Sequence, residues 1–295
     1  MKNIAWLFTT IVAVGLWACS EDNLDSTSIF DTDTTVKNEF DEWLQKNYTA
    51  PYNIEFKYRF EDKESNTQYN LAPADYDKSV ALAKMTKFLW LEAYEELLGI
   101  EFIRTYCPRL MYLVGSPAYN SKGDITLGTA EGGLKITLYN VNAIDLKDMD
   151  VNTLNSGYFK TMHHEFAHIL HQTKNYSTDF DLISASDYKL SSWVNVTDKE
   201  ALDMGFVSPR ASSEPQEDFV ETIAVYVTNT SEYWDALVES ANATGRDLIN
   251  QKLALVKDYL KTSWGINLDA LRDIVLRRSG EVLSLDLSTL NQESV

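Results

Sequence analysis

Apolar residues recur along this chain with two periods, and the order of those periods predicts its layout. From Val36 to Tyr48, Phe40, Trp43 and Leu44 fall on one helical face. Ile54 to Phe60 then alternates apolar and charged residues one by one, the pattern of a half-buried strand, and Glu61 to Gln68 is a charged connection. Asp75 to Leu98 returns to helical spacing, carries Tyr76, Phe88, Trp90 and Tyr94 for packing, and meets its stop at Gly99. Leu110–Val114, Ile125–Leu127 and Leu134–Val141 are short apolar runs and read as strands. Gly115-Ser116-Pro117 closes the first of them. Gly128–Gly133 reads as a turn between the other two, and it is no phosphate loop because the Lys-Ser/Thr ending is absent. A buried amphipathic helix follows, marked by Phe159, Met162, Phe166, Ile169 and Leu170. Asn175 to Val207 is polar and without a clear period, the length of a lid or binding loop. After a non-helical run from Ser208 to Gln216, helices are expected from about Glu217 to Tyr226, from Tyr233 to Trp264 and from Leu268 to Arg278. The fold class implied is α+β: a small twisted sheet, one central helix and a mainly helical C-terminal part, with no internal repeat.

The first residues stand apart from this layout. Lys2 is followed by an apolar stretch from Ile4 to Trp17 that is short for a membrane span and has the form of an export leader. It ends Leu16-Trp17-Ala18-Cys19, which resembles a bacterial lipobox. That resemblance implies a leader over residues 1–18, cleavage after Ala18 and lipid on Cys19. Ser20-Glu21-Asp22 resembles the surface-export signal of Bacteroidetes lipoproteins, which implies an outer-membrane lipoprotein exposed at the cell surface. Residues 19–35, rich in Ser, Thr, Asp and Asn, read as a flexible tether, and residues 36–295 as one domain. With Cys19 lipidated, Cys107 has no disulfide partner and reads as a small buried hydrophobe. The formal net charge of −18 argues against a nucleic-acid partner and against adhesion to acidic membranes, leaving a lipid anchor as the membrane contact.

The chemistry is concentrated in one place. The chain has four histidines, and His163, His164, His168 and His171 all lie within eleven residues. His164-Glu165-Phe166-Ala167-His168 reads His-Glu-x-x-His. On a helix, positions i and i+4 share a face, so two imidazoles can hold one zinc ion with Glu165 beside them as general base. Catalytic zinc takes three protein ligands and keeps one position open. The third cannot be a distant histidine, since none exists. The metzincin pattern is excluded because His171 and Lys174 stand where it needs Gly and His. His171 shares the face of His164 but lies about 10 Å further along the axis, too far to share the ion, and His163 points off that face. Outer-partner or surface roles remain for both. A carboxylate from another helix is therefore expected, and Glu217, Asp218 and Glu221 crowd one helix start. Acids also suit such a start for dipole reasons alone.

Glu217-Asp218-Phe219-Val220-Glu221 resembles the second motif of the gluzincins and the Glu-x-Phe-x-Glu form of anthrax lethal factor-like peptidases. By that resemblance Glu217 is the zinc ligand and Glu221 the acceptor that orients a ligand imidazole, with Asp218 the nearest rival ligand. The lethal factor-like pattern has a tyrosine seven residues before the ligand glutamate. Here Arg210 stands there, either as a donor to developing negative charge or as a surface residue. Together with His-Glu-Phe-Ala-His-x-x-His, Gly205-Phe206-Val207-Ser208-Pro209 and the lipobox, these runs resemble the Bacteroidetes substrate-import-associated zinc metallohydrolase lipoproteins, encoded beside SusC/SusD-like uptake systems. The resemblance implies a zincin-like fold, zinc as cofactor, a peptide or protein substrate and an uptake complex as partner. In zinc proteases generally, the strand before the active helix lies at the sheet edge above the cleft, and Leu134–Val141 is the candidate. Two other readings stay open: a surface substrate-binding accessory protein with structural zinc or none, and a zinc hydrolase of non-peptide amides or esters.

Overall fold

A computed structural model describes residues 37–66, 68–119, 125–126, 128–131 and 134–290. By its contacts the chain divides into Met1–Asn38 and Glu39–Val295, and the second unit is the one described below. The leader, the lipobox with Cys19 and the tether lie outside the described residues.

The first helix, α1 (Glu39–Leu44), starts with three acids that suit its positive end. It runs on through a wide π-type turn and a last helical turn to Tyr52, further than the periodicity of Phe40 and Leu44 predicts. Strand β1 (Glu55–Lys57) is the short ordered part of the alternating stretch. Helix α2 (Tyr76–Thr86) is capped by Asp75, whose side chain accepts from the Lys78 amide, and continues through a π-type turn into α3 (Glu92–Leu98). Gly99 ends it as expected, at φ +86°, where a side chain would be strained. A further helix, α4 (Ile100–Tyr106), follows at once. Its seven residues are too few to carry a readable period.

Strands β2 (Leu110–Leu113), β3 (Ala118–Tyr119), β4 (Ile125–Thr126), β5 (Gly128–Glu131) and β6 (Lys135–Leu138) complete the sheet region. Among the described residues the main sheet has the order β1-β2-β6-β5; β3 and β4 pair separately. β1, β2 and β6 are parallel, with Met111 opposite both Phe56 and Ile136. Parallel strands covered on both faces read as unbroken apolar runs, which is why Leu-Met-Tyr-Leu shows no alternation.

Two expectations are corrected here. Gly128–Glu131 is not a turn but strand β5, antiparallel to β6, with Gly128 opposite Leu138 and Glu131 opposite Lys135. Any reversal at Gly132-Gly133 lies outside the described residues. As a consequence Leu134–Val141 does not form the edge. Its ordered part, β6, is held on both sides, and among the described residues β5 forms the edge on that side, with β1 at the opposite edge. Glycine and small polar residues hid a strand whose order comes from pairing rather than from its own propensity.

Helix α5 (Lys160–Thr173) carries the histidines and buries Met162, Phe166, Ala167, Ile169 and Leu170. Phe166 sits at the centre of the core, met edge-on by Trp90, Tyr94 and Phe102 from α2–α4. β5 and helix α6 (Pro215–Thr228) both pack against α5. α6 begins two residues earlier than expected, because Pro215 takes a first-turn position where its missing N–H costs nothing. The polar stretch from Asn175 to Val207 is not irregular. It contains short helical segments at Asp179–Ile183, Leu190–Asn195 and Asp198–Asp203. The expected helix Tyr233–Trp264 is two, α7 (Ser231–Ser240) and α8 (Ala243–Trp264), divided where the Asn242 side chain caps the second. Helix α9 (Leu268–Glu281) packs against α6 and is followed by a 3-10 turn at Val282–Ser284.

Candidate metal centre

The helical period places His164, Glu165 and His168 on α5, and all three side chains are largely withdrawn from water. Opposite them the first turn of α6 brings Glu217. Its Oε2 lies 3.3 Å from His164 Nε2 and its Oε1 lies 3.2 Å from His168 Nε2. One ligand atom from each of the three residues falls within a 4.8 Å cluster. His164 Nε2 is buried, and its approach to the carboxylate is not aligned as a hydrogen bond. Two imidazole nitrogens and a carboxylate aimed at one point, close but unbonded to each other, are the donor set that zinc takes.

The other ring nitrogens are held from behind. His164 Nδ1 lies 3.1 Å from Glu221 Oε1. Glu221 is itself held by Lys160 Nζ at 2.8 Å and by the Ser208 hydroxyl, which donates at 2.9 Å. His168 Nδ1 lies 3.0 Å from His171 Nε2. Each imidazole thus has a neighbour at Nδ1 and presents Nε2 forward; the His168–His171 contact is a hydrogen bond, whereas the approach of His164 Nδ1 to Glu221, like that of its Nε2 to Glu217, is not aligned as one. Glu221 and His171 thus stand behind His164 and His168.

Charge on the site follows from these contacts. Burial opposes a proton on His164, but Glu217 and Glu221 overcome it and push the imidazole up to about 9. Burial raises the carboxyls of Glu217 and Glu221. His164, His168 and Arg210 outweigh it for Glu217, Lys160 and His164 outweigh it for Glu221, and both end well below the usual carboxylate range. His171 is pushed down to about 4, chiefly by burial and then by the neighbouring His168, so it stays neutral and can accept from His168. His163 faces the core, 3.1 Å from the Tyr94 hydroxyl, and burial lowers it to about 3.

The packing also places Asp218 and Arg210. Asp218, the rival ligand, is fully buried on the far side of α6. It pairs with Lys252 Nζ at 2.7 Å and accepts from the Tyr188 hydroxyl at 3.0 Å. Arg210 is an exposed residue, its side chain 44% accessible, and its Nε donates to Glu217 Oε2 at 2.8 Å. The sequence reading missed the Lys252–Asp218 pair, the roles of Lys160 and Ser208, and Tyr188. Nothing in their spacing marks them, because each acts across a long-range contact.

The family comparison agrees with this geometry. Residues 33–269 match the model of a family described as "Putative zinc-binding metallo-peptidase". The chain belongs to that family. A crystal structure of a "putative zinc-binding metallo-peptidase" from Bacteroides caccae ATCC 43185 is 49% identical, with a TM-score of 0.76, and the match covers 89% of this chain and 100% of that one. No curated protein matches. Zinc is the metal this metallo-peptidase family is described as binding. Among the described residues His164, His168 and Glu217 are the group gathered to hold it.

Proposed function

We propose that this metallo-peptidase family member hydrolyses peptide bonds, with Glu165 as general base, while held by lipid on Cys19 at the outer face of the outer membrane. There it would cut peptides or proteins for a SusC/SusD-like uptake system. The observation that carries the catalytic part is the convergence of His164 Nε2, His168 Nε2 and Glu217 beside a buried Glu165. The anchoring and uptake parts are supported by the lipobox-like Ala18-Cys19 and the acidic run after it.

Zinc bound by His164, His168 and Glu217 would act as a Lewis acid on the scissile carbonyl and acidify the attacking water. Glu165 takes that water's proton and returns it to the leaving amine. Arg210, tethered by Nε to Glu217, directs the rest of its guanidinium to the oxyanion. Strand β5, the sheet edge packed on α5, offers backbone groups to which an extended substrate adds as another strand. This assignment replaces the one first given to Leu134–Val141.

The test is cleavage of a diverse peptide library by the zinc-loaded chain, read beside Glu165→Gln and a chelator control. The variant should keep one zinc per chain and lose ~100-fold or more in kcat/KM, the scale of general-base catalysis. An active Glu165→Gln protein would remove Glu165 from this role.

A further inference from the structure

A cavity of about 380 Å³ opens beside the metal centre, lined by Leu190, Trp193, Arg210, Ser213, Glu214 and Glu217 among others. It shares Glu217 and Arg210 with the centre, so whatever fills it lies next to the bond being cut. Its size falls at the small end of ligand pockets, about 300–1,000 Å³.

The wall formed by Leu190 is unusual. Leu190 has φ +48°, a left-handed conformation that a leucine rarely adopts, and its side chain is 68% exposed. The strain is pinned from outside. The Lys189 amide donates to Ser212 O at 2.7 Å and the Leu190 amide to Ser213 O at 3.0 Å, fastening the segment to the entry of α6. Tyr188, just before, is fastened to Asp218. Strained backbone that is held this firmly clusters at functional sites. Leu190 opens the segment Leu190–Asn195, and its side chain and that of Trp193 line the same cavity. The result is two large apolar side chains over a pocket whose charged lining is Arg210, Glu214 and Glu217, with Arg210 and Glu217 already paired to each other.

We infer that this pocket receives a bulky apolar side chain of the substrate, adjacent to the scissile bond, gripped between Leu190 and Trp193. The inference rests on the peptidase reading for the identity of the substrate, but the pocket can be tested without turnover. The probes are two peptide hydroxamates, identical except for a benzyl or a methyl side chain beside the zinc-binding group. Each is titrated calorimetrically into the zinc-loaded chain and into zinc-loaded Trp193→Ala and Leu190→Ser. The wild type should bind the benzyl compound at least ~tenfold more tightly than the methyl one. Each variant should lose most of that preference, bind the methyl compound as the wild type does, and keep one zinc per chain. Equal binding of the two compounds by the wild type, no binding of either, or a benzyl preference that survives both substitutions would overturn the inference. A benzyl preference lost in the variants, in a protein that cuts no peptide, would uphold the pocket and sink the peptidase reading instead.

Discussion

Glu217 and Asp218 are neighbours in sequence and opposites in the fold. Glu217 faces forward from α6, between two imidazoles and Arg210. Asp218 faces backward into the core, paired with Lys252, whose ammonium also donates to Gly205 O at 2.7 Å and lies 4.0 Å from the centre of the Phe206 ring. The forward acid is held below the usual carboxylate range by its cationic neighbours. The backward one is pushed up to about 6, because burial outweighs the attraction of Lys252. One helix turn thus contains an acid poised to bind a cation and an acid committed to internal pairing. The lesson is that acidity at a helix start says little until each side chain's surroundings are known.

The comparison breaks most directly at the metal. Glu217→Ala should weaken zinc binding by more than the ~10–100-fold that loss of an outer partner costs, whereas Asp218→Asn should change it by less than ~10-fold. A competitive chelator titration measures both, and equal losses would erase the front–back distinction.

The next effect is on stability. Asp218→Ala leaves the Lys252 ammonium buried and unpaired, and should cost about 3–5 kcal/mol in urea unfolding of the metal-free chain. Adding Lys252→Met removes the stranded charge and should recover a large part of that cost. A double variant no more stable than Asp218→Ala would mean that the pair is not the source of the loss.

The smallest effect concerns pH. In metal-free protein, carboxyl carbon NMR should show Asp218 titrating near 6, with no step for Glu217 or Glu221 between about pH 3 and 8. The signs for stability are opposite. The raised Asp218 favours the folded state fully below its ordinary value of 3.8, and that contribution is lost as pH rises through about 6. The depressed Glu217 and Glu221 contribute above their ordinary value of 4.5, and their contribution is lost as pH falls. A common midpoint near 4 for all three would refute the contrast.

Legibility in the sequence followed the range of the interaction. The Asp75–Leu98 helix could be read because Asp75 caps it and Gly99 stops it, both local signals. Leu110–Leu113 and Lys135–Leu138 could be read because buried parallel strands need unbroken apolar runs. β5 could not, since Gly128-Thr129-Ala130-Glu131 has no strand pattern and is ordered by pairing with β6. The helical pieces within Asn175–Val207 were hidden by their shortness, and the break between α7 and α8 by a continuous periodicity across Asn242.

The sequence by itself placed the two imidazoles of α5. His164 and His168 share a face through the geometry of one helix, with Glu165 beside them, and no distant contact is needed to bring them together. By elimination it narrowed the third ligand to a few acids at one helix start, and a family resemblance singled out Glu217 among them. The tertiary structure alone decided that Glu217 faces forward and Asp218 inward, that Lys160 and Ser208 brace Glu221, and that Leu190 and Trp193 stand over the same cavity. The ion pairs among them, Lys160–Glu221 and Asp218–Lys252, join residues tens of positions apart. They are set by which faces of α5, α6 and α8 are buried against one another, a property of the packed whole that no local period encodes.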